Sequence, residues 1–176
     1  IGPVAAVDLA LGEDSLQIRP AGSDPLEPTP NRLQTDRLNL IRVTTRNGGL
    51  TNEARLSLYL ALENAPEALL ASTVVTNWAP FTPGSLEVPY VFPGADRYTL
   101  RAVISDPLVP DPDPADNSRS WSFTNQPPVA TPARFDLVPQ YPLDFRLSGT
   151  DPDGDPLEYR LVTGPTQGVL ERRGDV

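Results

Sequence analysis

Three aspartates late in the chain have the type and spacing of metal ligands. Asp151, Asp153 and Asp155 stand at alternate positions around Gly154. Carboxylate oxygens presented by one turn are the hard ligands that Ca²⁺ takes, with about six to eight oxygens around the ion. The segment is not an EF-hand loop, which would place its glycine later and end in glutamate. We expect these three residues to bind calcium. The alternative is a polar turn that joins two strands.

A second acidic segment lies earlier in the chain, where aspartates alternate with prolines. Proline fixes the backbone and cannot donate a hydrogen bond, so such a segment favours a loop. We expect a solvated loop edge here rather than a second calcium site. The aspartates of this segment are Asp106, Asp111, Asp113 and Asp116.

The chain lacks most of the residue types that enzymes commonly use for catalysis. There is no cysteine, histidine or methionine, and all 14 basic residues are arginine. Thiol and histidine nucleophile systems, histidine- or cysteine-bound metals and lysine Schiff bases are therefore excluded. A carboxylate pair would need a pocket to tune its two pKa values, and the candidate glutamates are scattered. We predict that the chain is not an enzyme. These scattered glutamates are Glu53, Glu63, Glu67 and Glu87.

The charge balance argues against two classes of partner. The formal net charge is −9, and the arginines form no basic stripe. Binding to nucleic acid requires a basic surface against the phosphates, so we expect no nucleic-acid partner. No apolar run is long enough to cross a bilayer as a helix, so we expect no membrane span.

Period-two alternation dominates the first two thirds of the chain. Leucines 56, 58, 60 and 62 alternate with more polar residues, as in a half-buried strand. Turn residues such as Asn47-Gly48-Gly49 and Pro93-Gly94 separate the alternating runs. Short strands with turns between them predict an all-β protein, an immunoglobulin-like β-sandwich. The prolines of residues 20–36 predict a long loop. We predict strands near 4–11, 15–19, 38–46, 54–62, 69–76, 85–91, 96–105 and 118–124.

The chain breaks at Asn125-Gln126-Pro127-Pro128, where two adjacent prolines favour a stiff, extended connector. We predict a sandwich over 1–124, a linker over 125–128 and a second, incomplete sandwich over 129–176. The second segment has too few strands for a domain of roughly 100 residues. Its predicted strands centre on Phe135 and Leu137, on Leu143, Phe145 and Leu147, on Leu157, Tyr159 and Leu161, and on Val169.

Tyr98 has the sequence setting of a tyrosine corner. In that motif a tyrosine near the start of a strand hydrogen-bonds back to the backbone a few residues upstream. Pro93-Gly94 supplies the required turn just before Asp96 and Tyr98. We predict the corner here, and it bears on the fold rather than on function.

Residues 7–124 resemble the CARDB family, the adhesion-related immunoglobulin-like domain of bacterial and archaeal surface proteins. The matching segments are Val7–Leu9, the strand and N-x-G turn of Arg42–Gly49, and Tyr98–Ile104 followed by the acidic, asparagine-containing turn Asp113–Ser118. The resemblance implies a non-catalytic sandwich at the cell surface. The proline-rich segment 20–36 departs from the family pattern.

The segment after the linker is similar to the start of a bacterial cadherin-like or immunoglobulin-like repeat. The similarity lies in Asn125–Ala130, Ser148–Tyr159 and Gly164–Gly168. It implies calcium near such acidic turns, often shared with a neighbouring domain or linker. The residues concerned here are Asp151, Asp153 and Asp155.

Two further motifs have a functional and a structural interpretation. The aromatic residues Trp78, Phe81, Tyr90 and Phe92 could line a sugar-binding platform, but aromatic rings in a sandwich more often fill the core. Arg173-Gly174-Asp175 matches an integrin-binding tripeptide, and we interpret it as a hairpin turn.

These observations together predict a structural or adhesion segment of a secreted or surface-displayed bacterial protein. It would act as a stalk or interaction module with protein neighbours, either adjacent domains or like subunits. Two alternatives stay open. The chain is a filament subunit whose second domain is completed by a strand of a neighbouring chain, or it is a carbohydrate-binding or spacer module of a secreted hydrolase.

Overall fold

Alternating apolar residues form long antiparallel strands in the first of the chain's two units, Ile1–Asn125 and Gln126–Val176. The structure is a computed structural model that describes residues 8–22, 34–94, 96–138 and 141–171. The strands of the first unit are β1 (Leu9–Ala10), β2 (Leu16–Pro20), β3 (Leu38–Asn47), β4 (Asn52–Leu62), β5 (Ala68–Trp78), β6 (Pro83–Val91), β7 (Arg97–Ser105) and β8 (Ser118–Thr124).

The predicted all-β fold is confirmed. The described residues contain no α-helix, and their helical turns are two short 3-10 segments, Glu13–Ser15 and Pro114–Asp116. The described part of the first predicted strand, 4–11, forms a strand over Leu9–Ala10, and a 3-10 turn follows before β2. Residues 4–7 of that strand and residues 23–33 of the predicted loop lie outside the described residues.

Two antiparallel sheets make the sandwich. In one sheet β3 pairs with β1 and β2 and also with β6. Arg46 on β3 pairs with both Ala10 and Pro83, so β1 and β2 lie along one edge of β3 and β6 lies along the other. The second sheet has the order β5–β4–β7–β8. Hairpins and crossings between two such sheets are typical of immunoglobulin-like folds.

The core lies between the two sheets, where the inward residues of each strand meet. Leu56, Leu58 and Leu100 from one sheet and Ile41 and Val43 from the other are completely buried. Each large aliphatic side chain that is fully buried contributes about 1.5–3 kcal/mol to stability. The period-two pattern of the sequence therefore corresponds to the inward face of each strand.

The predicted tyrosine corner is confirmed. The Tyr98 hydroxyl donates to backbone carbonyls of the preceding turn, at 2.8 Å from Pro93 O and 2.6 Å from Gly94 O. Its ring packs edge-on against Phe92, with the ring centroids 5.0 Å apart. Burial, and then the charge of Asp96, raise the pKa of Tyr98 to about 12. The corner fixes the entry into β7.

The strands predicted for the second unit are wrong in the part of it that is described. Its ladder consists of β9 (Val129–Ala130) paired with β10 (Gly149–Thr150). Alternation marks a face that could be buried, but a strand also needs neighbours to pair with and a surface to cover. Many of its apolar side chains are exposed instead. These include Val129, Phe135, Leu137, Leu143, Phe145, Leu147, Leu161 and Val169.

The second unit does hold one aromatic contact. The rings of Phe135 and Phe145 lie with their centroids 4.6 Å apart. The prediction that 129–176 is the first half of a cadherin-like domain stays a prediction. Among the described residues there is no helix long and apolar enough to cross a membrane.

Candidate functional site

The three aspartates predicted to bind calcium lie in one turn of the second unit. Oδ1 of Asp151 accepts hydrogen bonds from the backbone N–H groups of Asp153 (2.9 Å) and Asp155 (3.1 Å). Oδ2 of Asp153 accepts from the N–H of Gln126 at 2.6 Å. Gly154 takes a positive φ of 74° to close the turn. The sequence thus forms a tight turn in which carboxylate oxygens accept hydrogen bonds from backbone N–H groups.

These carboxylates do not converge on one point. Within the described ranges, no three acidic, histidine or cysteine residues are grouped so that they could hold a metal ion. In this arrangement the carboxylates of Asp151 and Asp153 accept hydrogen bonds from backbone N–H groups. Calcium binding by Asp151, Asp153 and Asp155 stays a prediction.

The four aromatic residues proposed as a platform do not form one. Trp78 is 2% exposed and Phe92 is buried in the core. The indole Nε1 of Trp78 donates to Thr82 O at 2.9 Å. Gly84 packs against the indole so closely that a Cβ there would lie 2.9 Å from Trp78 Cζ2. Only Phe81 of the four is strongly exposed, at 85%.

Phe81 belongs to a different surface, which we call the loop end. The loop end comprises residues 47–53, 78–83 and 106–117, the segments that join β3 to β4, β5 to β6 and β7 to β8. Hydrogen bonds show that these three segments meet at one end of the sandwich. Two buried asparagines make most of the connections.

Asn47 connects the first two segments. Its side chain is completely buried, and Nδ2 donates to both Leu50 O and Trp78 O, each at 2.8 Å. Its Oδ1 accepts from Gly49 N at 3.0 Å. Its backbone carbonyl accepts from Phe81 N at 2.6 Å. One side chain therefore fixes the turn after β3 and the turn after β5 together.

Asn52 connects the third segment. It is 2% exposed and pairs reciprocally with the backbone of Val109: Nδ2 donates to Val109 O at 3.1 Å, and Oδ1 accepts from Val109 N at 2.9 Å. The adjacent Leu108 N donates to Glu53 O at 2.8 Å. An amide that satisfies both a donor and an acceptor of a neighbouring loop acts like a strand pairing, so this loop is held against β4.

The three segments expose apolar side chains. Phe81 and Leu108 are 85% and 76% exposed, and Leu50 and Val109 are also exposed. Phe81 has a φ of 60°, in the left-handed region that a bulky residue rarely adopts. Such a conformation costs of order 1–3 kcal/mol and persists when the surrounding structure holds it. Here the bonds from Asn47 and from the turn around Trp78 hold it.

Carboxylates are grouped in the third segment of the loop end. Oδ2 of Asp111 accepts from Leu9 N and from Asn117 Nδ2, which ties the start of β1 to the loop after β7. Oδ1 of Asp116 is buried and accepts no hydrogen bond from any residue that the structure describes. Burial, and then the charges of Asp113, Asp111 and Asp8, raise the pKa of Asp116. The loop end is thus crowded with negative charge.

Two of the four glutamates noted in the sequence, Glu67 and Glu87, form ion pairs. Glu67 forms two hydrogen bonds with Arg101, at 2.8 and 2.5 Å, and this lowers the pKa of Glu67. Glu87 pairs with Arg42 at 2.9 Å. A shallow cavity of about 300 Å³ under the 106–117 loop has Asp111 as its sole titratable lining residue. One carboxylate does not make an acid–base pair.

Of the apolar residues of the loop end, Phe81 alone could be singled out from the sequence, as part of an aromatic platform. Leu50, Leu108 and Val109 lie in turn segments with no periodicity that would mark them. The Asn47-Gly48-Gly49 motif indicates a turn and does not indicate the long-range bonds of Asn47. The integrin-like tripeptide at 173–175 lies outside the described residues.

Comparison with known proteins agrees with the geometry of the first unit. Neither a family model nor a curated protein matches the sequence. A crystal structure of the CARDB domain of the PF1109 protein from Pyrococcus furiosus, in complex with di-metal ions, has a TM-score of 0.50 and 14% identity. The match covers 69% of this chain and 96% of that domain. The solution NMR structure of the same domain has a TM-score of 0.46, with the same identity and coverage.

At this identity the likeness concerns the fold alone. It covers nearly the whole of the Pyrococcus domain, and it gives no support to a cadherin-like second half. The CARDB resemblance of the sequence is thereby confirmed at the level of the fold. The chain contains an immunoglobulin-like β-sandwich with a CARDB-like fold.

Proposed function

We propose that this chain is a non-catalytic interaction module of a secreted or surface-displayed bacterial protein, and that it binds a protein neighbour through the loop end. The observation that carries the proposal is the exposure of Phe81 and Leu108 on loops fixed by buried Asn47 and Asn52. A contiguous apolar patch on a monomer frequently marks an interaction site. Loops positioned by a rigid sandwich are a common place for one.

The chemistry of the loop end defines the partner. Aromatic and leucine side chains are suited to an apolar pocket at the centre of an interface. The carboxylates of the third segment, among them Asp111 and Asp113, favour positive charge on the opposite surface. The partner is therefore a protein surface with apolar residues flanked by lysine or arginine.

Photo-crosslinking tests this proposal. A photoreactive phenylalanine analogue such as p-benzoylphenylalanine is placed at Phe81 and, separately, at Leu108, in the protein produced in its own cells. Both positions should give an adduct with the same partner, because both lie on the loop end. The matched control is Val91, an exposed apolar residue whose neighbour Leu38 lies at the opposite end of β3.

Competition separates specific from random adducts. An excess of the unlabelled wild-type chain should suppress the adduct, and the Phe81→Ser/Leu108→Ser variant should not. Equal adducts from Val91, or equal competition by the double variant, would contradict the proposal. Digestion of the adduct by protease added to intact cells tests surface display in the same experiment.

Calcium at the turn of Asp151, Asp153 and Asp155 is part of the same proposal, because a bound ion would stiffen the second unit. In calorimetric titration with CaCl₂ we expect one site whose heat signal disappears in Asp153→Ala. The control is Asp136→Ala, which removes another carboxylate of the same unit. Absence of heat in the wild type would show that these carboxylates serve only the backbone of the turn.

The filament alternative has one observation in its favour. The second unit exposes many apolar side chains, such as Val129, Leu137 and Val169, and a strand from a neighbouring chain could cover them by β-augmentation. The carbohydrate alternative needs an exposed aromatic row at Trp78 and Phe81, and burial of Trp78 removes that support.

A further inference from the structure

The edges of the two sheets are not equally protected. An edge strand presents unpaired backbone groups to other chains, and proteins usually block it with charges, prolines, breaks or a covering segment. Three of the four edges of this sandwich are blocked in one of these ways. The fourth edge, β5, has neither charge nor proline nor a covering segment among the described residues, and its middle part is a regular strand between two register shifts.

The sheet of β3 has two interrupted edges. Along one of them a 3-10 turn separates β1 from β2, and β2 ends at Pro20. The other edge is β6, which contains Pro83 and Pro89 and carries the Glu87–Arg42 ion pair. Proline cannot donate to a new strand, so neither edge offers a continuous ladder.

The second sheet has one covered edge. On β8, Arg119 Nη2 donates to Glu13 Oε1 at 2.8 Å, and Trp121 Nε1 donates to Glu13 O at 3.1 Å. The 3-10 turn at Glu13 therefore contacts this strand. Charge and contact together disfavour the approach of another chain to β8.

β5 is long, uncharged and free of proline. Its pairing with β4 is regular from Ala71 to Val75, between two register shifts, and at about 3.4 Å per residue this stretch extends over roughly 17 Å. It pairs with β4 and with no other strand in the part of the chain that the structure describes. Its inward residues face the core, and its outward residues Ser72, Val74 and Thr76 are exposed.

We propose that β5 is a self-association edge, at which two copies of the chain pair antiparallel through this strand. Charge permits a second copy at this edge. Each copy carries a net charge of −9, so copies repel one another wherever carboxylates face, whereas β5 brings none. Val74 and Leu69, which are 42% and 56% exposed, add apolar contact across the join.

The two-fold symmetry of antiparallel pairing also favours a second copy of the chain at the β5 edge. Antiparallel pairing of identical strands is two-fold symmetric, so one contact satisfies both edges and produces a continuous eight-stranded sheet. Because β5 ends at Trp78, at the loop end, the antiparallel arrangement points the two loop ends in opposite directions. Edge pairing alone buries less surface than a stable interface of about 1,600 Å², so the dimer is weak and concentration-dependent.

Analytical ultracentrifugation of the full chain tests the proposal. The average mass should rise from 19.1 kDa toward twice that value as concentration increases. Ser72→Glu/Val74→Glu places like charges across the two-fold axis, and this variant should stay monomeric. The control Ser120→Glu/Ser122→Glu makes the same change in charge on β8, and it should dimerise like the wild type.

A thiol trap identifies the strand directly, and it does not depend on how the glutamate variant folds. The chain has no cysteine, so Ser72→Cys or Val74→Cys introduces a single thiol. Mild oxidation should join two copies efficiently for at least one of these variants. Ser122→Cys, on β8, should not be joined above the level of random collision.

Three results would overturn the proposal. One is a constant monomer mass up to millimolar concentration. Another is equal disulfide yield from β5 and from β8. The third is a rise in mass that the Ser72→Glu/Val74→Glu variant shares, which would locate association on another surface, as the filament alternative expects for the second unit.

Discussion

Replacing Asn47 with alanine should lower the free energy of unfolding of the first unit by about 3 kcal/mol, and its melting temperature by about 10 °C. The change leaves Leu50 O, Trp78 O and Gly49 N without the side chain that they contact. Each buried polar group that loses its partner costs about 1–3 kcal/mol. Denaturant unfolding followed by tryptophan fluorescence measures the effect, because both tryptophans lie in this unit.

The matched control for this substitution is Asn64→Ala. Asn64 lies in the exposed turn between β4 and β5, so the same chemical change there should alter the unfolding free energy by less than about 0.5 kcal/mol. Equal destabilisation by the two substitutions would show that Asn47 does not tie the loops together. Loss of the Phe81 crosslink in a still folded Asn47→Ala chain would show that the tie also presents the binding surface.

Replacing Tyr98 with phenylalanine should destabilise the first unit by about 1–3 kcal/mol. The substitution keeps the buried ring and removes the hydroxyl that donates to the carbonyls of Pro93 and Gly94. Thermal unfolding should therefore occur several degrees lower. Tyr141→Phe makes the same change at an exposed residue of the second unit, and it should leave the transition in place.

The effect of Tyr98 should also depend on pH in a defined window. Because the pKa of Tyr98 is raised from 10.0 to about 12 in the fold, the unfolded chain releases this proton first. The stabilisation is complete below pH 10 and is lost as pH rises through about 12. Tyr98→Phe has no such proton, so the stability gap between the two proteins should narrow in this window. A constant gap would contradict the buried corner.

Much of the first unit could be predicted from its sequence because local patterns and tertiary packing agree there. The alternation of Leu56, Leu58 and Leu60 marks the same face that the core buries. Tyr98 could be found because the corner is local, with all of its partners within five residues. The two sheets supply the partner strands and the buried surface that these patterns require.

The second unit shows that an alternating pattern alone does not establish a strand. Leu143, Phe145 and Leu147 have the spacing of a strand, yet they remain exposed without a ladder. A single sequence indicates which face could be buried and is silent on whether a partner strand is present. The same ambiguity applies to Asp151, Asp153 and Asp155. Aspartates at alternate positions are compatible both with a metal site and with a tight turn.

The loop end could be anticipated only in part. The Asn47-Gly48-Gly49 motif indicates a turn, but turn chemistry looks the same whether the amide caps its own loop or reaches Trp78 O. Asn52 begins β4, and nothing in the sequence marks its pairing with Val109, 57 residues away. Long-range hydrogen bonds of this kind depend on the topology of the sheets.

The burial of Asn47 has a chemical consequence, because an asparagine followed by glycine is the dipeptide most prone to spontaneous deamidation. The reaction needs the nitrogen of residue 48 to attack the side-chain carbonyl of Asn47. In the fold Gly48 N donates to Asp8 O at 2.6 Å, and the carboxamide is fixed by its own hydrogen bonds. The intact sandwich therefore protects the residue. Each opening of the loop end exposes Asn47 to an irreversible change into aspartate or isoaspartate. The product would place another negative charge where the loops are joined. The chemical lifetime of this surface therefore depends on the rate at which the loop end opens locally.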